Sequence, residues 1–146
     1  PLVVVTKTDS PVMEATTLED LKQFKWATQV GTTFYSFLAE VIQPDQDILV
    51  FDTNADSLTA LDNGTVDAVI QTLQIGIYNT EIQFEGMSLA GLLPDVIGEG
   101  MGLVTEIDSP LIPYLNAALG ELFEDGTQAA LVEEWLPIPS DLPTFS

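Results

Sequence analysis

Short apolar runs alternate along this chain with segments whose apolar positions recur every three or four residues. Leu2 to Val5 is a β-branched run closed by the polar stretch Lys7 to Pro11, the pattern of a buried strand. Thr17-Leu-Glu-Asp20 has the spacing of a capping box, in which a hydroxyl and a carboxylate satisfy each other's orphan amides, and predicts a short helix through about Phe24. Lys25 to Gln29 reads as the next strand. Beyond Gly31-Thr32-Thr33, the residues Phe34, Phe37, Leu38 and Val41 repeat at helical spacing as far as Ile42. Asp47 to Phe51 and Val66 to Ile70 read as further strands, with a capped helix over 54–61 between them and another helix over 71–80. Residues 81–102 are glycine-rich around Pro94 and predict mostly loop and short strand, with a last strand over 102–105. Ser109-Pro110 opens a helix with the stripe Leu111, Leu115, Ala118, Leu119 and Leu122. Asp125-Gly126-Thr127 separates it from a second helix carrying Leu131 and Trp135, which Pro137 and Pro139 stop.

This alternation predicts an α/β fold, a mainly parallel sheet with helices on both faces. In such sheets ligands collect beyond the carboxyl ends of the strands, where helix amino termini offer free amides. Three segments fall there: Gln29 to Thr33, Asp52 to Asn54, and Gln71-Thr72. In the first, Gly31 permits close approach of the backbone, and a helix start with two hydroxyls suits an anionic oxygen. The competing interpretation is that Thr32 merely caps its own helix. Asp52-Thr-Asn-Ala-Asp56 imitates half a calcium loop, but Ser57 and Asn63 stand where glycine and glutamate are needed, so no metal site is expected. Trp26, Tyr35, Phe37 and Trp135 lie in periodic segments and read as core.

Composition narrows the function further. The 146 residues hold 23 acids against three lysines and no arginine, a net charge of −20 that repels nucleic acid and anionic membrane surfaces. Without histidine or cysteine there is no Ser-His-Asp or Cys-His nucleophile, no thiolate or imidazole zinc site and no disulfide. No pair of carboxylates has an apolar setting that would mark a hydrolase. The expectation is a protein that is not an enzyme and uses no cofactor. At 46% hydrophobic residues the chain is globular rather than disordered despite its charge, and that charge also suits work in concentrated salt or at acidic pH. It opens on Pro1 inside an apolar run, which reads as a processed or excised piece of something longer.

Four runs in order, Thr17 to Lys22, Ala27 to Thr33, Asp52 to Ile70, and Asp108-Ser-Pro-Leu111 through Asn116-Ala-Ala-Leu119 and Asp125-Gly-Thr127 to Glu134-Trp135, resemble the extracytoplasmic solute-binding proteins of ABC transporters, in the polar amino-acid class. The resemblance implies a type II periplasmic binding protein-like fold of two α/β lobes that close on a solute. Residues 1–100 resemble the second, ligand-contacting lobe, and 101–146 the return crossing and C-terminal helices. The main body of the first lobe has no counterpart. Carried over by position, the ligand contacts implied are Gln29, Thr32, Thr33, Gln71 and Thr72. The resemblance departs at Thr72, where amino-acid binders typically have an aspartate for the ligand's ammonium. Its implied partners are a small polar solute, an amino acid or related anion, and the membrane permease of a transporter, with self-association through the exposed half-cleft. Its implied location is extracytoplasmic, periplasmic or lipid-anchored. The alternative with the same fold is a ligand-sensing domain of a membrane receptor or regulator.

Overall fold

The computed structural model describes residues 1–94 and 102–146, so part of the glycine-rich stretch and the boundary expected at 100/101 lie outside the described residues. The chain divides into two units, Pro1–Ile97 with Ser140–Ser146, and Gly98–Pro139.

The first unit is built on strands β1 (Leu2–Lys7), β2 (Trp26–Gln29), β3 (Leu49–Phe51), β4 (Ala68–Thr72) and β5 (Met87–Leu92), in the order β3-β2-β4-β1-β5. β2 runs parallel to β3 and β4, whereas β1 lies antiparallel between β4 and β5. Four strands thus share one direction and β1 opposes them. The parallel expectation holds for direction but not for every pairing. Its physical limit is that an apolar run covered on both faces carries no sign of which way it points.

That double cover is visible residue by residue. Val3, Val4 and Val5 are fully buried, and alternation sends Val4 to one face and Val3 and Val5 to the other. Val4 joins Trp26, Ile70 and the residues Phe37, Leu38 and Ile42 of helix α1 (Thr33–Phe37) and its wider π-turn extension Leu38–Ile42. Val3 and Val5 meet Leu58 and Leu61 of helix α2 (Asn54–Asp62) and Leu73 of helix α3 (Leu73–Tyr78). Each such side chain contributes about 1.5–3 kcal/mol by leaving water.

The capping box forms, but on a shorter element. Thr17 N donates to Asp20 Oδ2 at 2.9 Å and Asp20 N to Thr17 Oγ1 at 3.2 Å, yet only a 3-10 turn, Asp20–Gln23, follows. Phe24 is already extended, and the Leu21 carbonyl accepts from Trp26 Nε1 at 3.1 Å. Burial of Leu21 and Trp26 in one layer therefore ends the helix early.

The tail Ser140–Ser146 belongs to this same unit. Leu92 N donates to the Pro143 carbonyl and Phe145 N to the Leu92 carbonyl, and the Phe145 ring is buried against the sheet. Gly91 makes room for it, since a Cβ there would stand 2.8 Å from that ring. Nothing in the proline-rich spelling of the tail announces this.

The second unit consists of helices α4 (Ile112–Glu124) and α5 (Thr127–Trp135). Gly126 turns the chain between them at φ 80°, and Asp125 Oδ1 accepts from Thr127 N at 2.8 Å, which holds that carboxyl below its usual range. α4 starts later than Ser109-Pro110 suggests, because that pair forms a preliminary turn in which Ser109 Oγ accepts from Leu111 N. Residues 102–105 form no strand. Leu103 and Val104 are exposed, and neither takes part in a strand pairing among the described residues.

Candidate functional site

Three helices of the first unit start where three neighbouring parallel strands end. β2 leads through Gln29, Val30 and Gly31 to α1, β3 through Asp52 and Thr53 to α2, and β4 directly into α3. Gly31 makes the first connection at φ 71°, a conformation that side chains disfavour. Gln29 lies level with Phe51 in the β2–β3 pairing, so all three connections open on one edge of the sheet.

A threonine stands at the N-cap of each helix, and the three differ in what their hydroxyls do. Thr53 Oγ1 accepts from Asp56 N at 3.1 Å and caps α2 in the ordinary way. Thr32 makes no side-chain cap to α1: its Oγ1 donates backward to the Gln29 carbonyl at 2.8 Å and lies 3.3 Å from Thr28 Oγ1. Thr72 makes no side-chain cap to α3 either. Two adjacent helix starts at this edge thus lack the side-chain acceptor that normally occupies their first amides, and each keeps the partial positive charge of its N-terminus. Capping of α1 by Thr32, the competing interpretation of that residue, is not what the structure contains.

The five sequence-predicted residues occupy different depths here. Gln29 is half-buried, its Nε2 donating to the Asp52 carbonyl at 3.3 Å, and its own carbonyl holds Thr32. Thr33 is exposed as the first residue of α1, and Thr72 is half-buried at the start of α3. Gln71 is 3% exposed, and its Nε2 is engaged by Asn54 Oδ1 at 2.7 Å. That bond ties the end of β4 to the first turn of α2. A hollow of about 570 Å³ opens beside Thr32 and Thr33, lined also by Val30, Gly31, Tyr35, Ser36 and Val50, and does not include Gln29, Gln71 or Thr72. A second hollow of about 620 Å³ shares Tyr35 and Val50 but none of the five.

Tyr35 and Val50 are the additions that sequence reasoning missed at this edge, and Asn54, within the second of the three segments, has a partner that the sequence does not show. Asn54 reads as an ordinary helix-start residue until β4 brings Gln71 beside it. Tyr35 has core spacing yet is 45% exposed. For Tyr35 the available signal was charge: the two longest stretches free of Asp, Glu, Lys and Arg, 26–39 and 68–80, contain it and all five predicted residues. Asp52 and Asp56 are the acids of the intervening connection, and Asp56 Oδ2 accepts from Thr53 Oγ1 at 2.6 Å. No cluster of three metal-ligating side chains occurs among the described residues.

No protein-family model matches the chain, and no curated protein matches it. Solved structures do. The substrate-binding protein of an amino acid ABC transporter is 25% identical with a TM-score of 0.63, over 94% of this chain and 59% of that one. An ancestral arginine-binding protein bound to glutamine gives 25% and 0.63, over 94% and 60%. The L-cystine solute receptor of Neisseria gonorrhoeae, in its unliganded open conformation, gives 24% and 0.57, over 93% and 56%. The resemblance to solute-binding proteins of the amino-acid class therefore holds in three dimensions, and the lobe is of the α/β type those proteins use. The chain spans about 60% of the length of the structures it matches. These neighbours are binding proteins. Among the described residues, no helix is long and apolar enough to cross a membrane.

Proposed function

We propose that this chain is the ligand-contacting lobe of an extracytoplasmic solute-binding protein, periplasmic or lipid-anchored, which takes up a small polar solute and hands it to the permease of an ABC transporter. The observation that carries this reading is the pair of adjacent helix starts at Thr32 and Thr72 whose side chains leave their own helices uncapped. Backbone donors with partial positive charge suit an anionic oxygen. Thr32 and Thr33 with the amides of α1 take that anion, Thr72 with the start of α3 reads a second polar group, and Gln29 and Gln71 hold the two connections in place. Polar recognition of this kind binds and orients without making or breaking bonds, and the reading assigns no catalytic residue.

Thr72 also sets the solute class. A neutral hydroxyl stands where the resemblance leads one to expect a carboxylate, and losing a charge-assisted hydrogen bond forfeits on the order of 1 kcal/mol or more. The solute on this reading is an anion that lacks an ammonium or has it held by other groups. As half a cleft the chain binds weakly, and the same open rim supports self-association. The test is an amide-resolved NMR titration with small mono- and dicarboxylates against lysine and arginine. Shifts confined to the backbone of residues 31–34 and 72–74 with the carboxylates support the reading. Shifts elsewhere, or a preference for the cations, overturn it.

A further inference from the structure

The turn that joins α2 to β4 carries chemistry that the solute reading leaves unused. Asn63 stands just beyond the last residue of α2, Gly64 follows in the left-handed conformation at φ 76°, and Thr65 and Val66 lead toward β4. Asn63, Gly64 and Thr65 are exposed, and a Cβ at Gly64 would meet nothing within 4 Å. The helix end fixes the backbone of this turn. Asn63 N donates to the Thr59 carbonyl at 3.0 Å, Gly64 N to that of Leu61 at 3.1 Å and Thr65 N to that of Ala60 at 2.8 Å.

The side chains are fixed as well. Asn63 Oδ1 accepts from Thr65 N at 3.0 Å and also from Thr65 Oγ1. A carbonyl oxygen has two lone pairs, so Oδ1 is fully used, and among the described residues Nδ2 donates to none. Asparagine followed two positions later by a hydroxyl, with no proline between, is the acceptor pattern for an N-linked glycan. Of the four asparagines in the chain Asn63 alone fits it, because Asn54, Asn79 and Asn116 are followed at that position by Asp56, Glu81 and Ala118.

We propose that Asn63 is the acceptor of an N-linked glycan, transferred outside the cytoplasm from a polyprenyl pyrophosphate carrier. The proposal rests on the extracytoplasmic location in the reading above and on none of its five cleft residues. In the transfer, Nδ2 attacks the anomeric carbon of the carrier-bound sugar. A C–N bond forms as the C–O bond to the phosphate breaks, the electron pair of that bond leaves on the phosphate oxygen, and one Nδ2 proton passes to a base of the transferase. Negative charge that builds on Oδ1 as the proton leaves meets the two Thr65 donors already aimed at it. The position also suits a bulky group. The nine residues of α2 span about 13 Å, so a glycan on Asn63 projects from the end of the helix opposite Asn54 and the candidate cleft edge, and leaves the way to that edge open.

The test is export of the full chain, behind a cleavable secretion leader, from cells that N-glycosylate their secreted proteins. The intact mass should exceed 15.8 kDa by one glycan. Cleavage before aspartates releases residues 62–66 as a five-residue peptide, which should hold the added mass, whereas 108–124, with the exposed Asn116, should stay unmodified. Asn63→Gln and Thr65→Val should each abolish the added mass with unchanged circular dichroism, and Thr65→Ser should keep it, since the hydroxyl is what the pattern needs. Exported chain without a glycan at Asn63 overturns the inference and leaves the solute reading standing, because the carboxylate titration monitors residues 31–34 and 72–74. A 62–66 peptide changed only by deamidation of Asn63 also overturns it, and so does a glycan that survives Thr65→Val. A glycan found at Asn63 beside a failed carboxylate titration supports the inference and overturns the solute reading alone.

Discussion

Gln71 donates its side-chain amide to Asn54 Oδ1 over 2.7 Å, joining the end of β4 to the first turn of α2. Gln71 is buried, so shortening Asn54 removes the one side-chain partner of its amide. Asn54→Ala should cost about 1–3 kcal/mol in a denaturant titration, because a buried donor is then left without a partner. Adding Gln71→Leu to that variant should recover part of the loss, since both polar groups are then gone. An equal loss in the double variant would show that Asn54 acts through something other than Gln71.

Thr72→Asp places a carboxylate at the uncapped helix start where the resemblance to amino-acid binders leads one to expect it. On the proposed reading it should favour ammonium-bearing solutes over their deaminated analogues by about tenfold or more, measured by NMR titration or calorimetry. No change in that preference would mean that Thr72 does not face the solute.

The capping box carries a pH dependence. Hydrogen bonds from Thr16 N, the Thr17 side chain and Thr17 N hold the Asp20 carboxyl below its usual range. A carboxyl whose folded value lies below its unfolded value, about 3.9, contributes stability above that value and loses it as the pH falls through the folded one. Asp20→Asn should therefore melt lower than the parent at neutral pH, and the two melting temperatures should converge as the pH drops below 3.9 toward the folded value. A gap that stays constant down the acid limb would assign the effect to shape rather than charge.

At the other end of the sheet, Gly91 lies under the tail. A Cβ there would approach the Phe145 ring to 2.8 Å and the Pro143 carbonyl oxygen to 3.0 Å. Gly91→Ala should destabilise by about 1–3 kcal/mol through overpacking. Phe145→Ala should cost about 3–5 kcal/mol through the cavity it leaves, and in that background the alanine at 91 should cost less. Additive losses would mean that the ring and the glycine do not meet.

The sequence showed most clearly those elements whose side chains announce their own surroundings. Val3 to Val5 spelled a strand covered on both faces, Thr17 and Asp20 spelled a cap, and the spacing of Leu58 and Leu61 spelled the buried side of α2. Direction and partnership were invisible, because both depend on residues distant along the chain: β1 opposes its neighbours although nothing in its valines says so, and 102–105 has strand composition but enters no strand pairing among the described residues. At the candidate site, the positions of Gly31, Thr32 and Thr72 at helix starts were readable from breaks in periodicity. What their hydroxyls do was not, because Thr32 turning to the Gln29 carbonyl and Thr53 capping α2 differ in side-chain rotamer rather than in residue type. The bond from Gln71 to Asn54, 17 positions earlier, was equally invisible, because only the fold joins the two.

Phe145 closes a layer begun at Val4, on a strand that the chain finished long before. Leu92 and its tail partners are separated by the whole α4–α5 hairpin, so the lobe reaches its final packing only after that hairpin has been synthesised and the chain has doubled back. Phe145 follows β1 to β5 along the chain, so its contacts can form only after those strands have been made. Until they do, the nearly finished sheet waits with one side of β5 uncovered, a window in which chaperones, proteases or neighbouring chains can reach it.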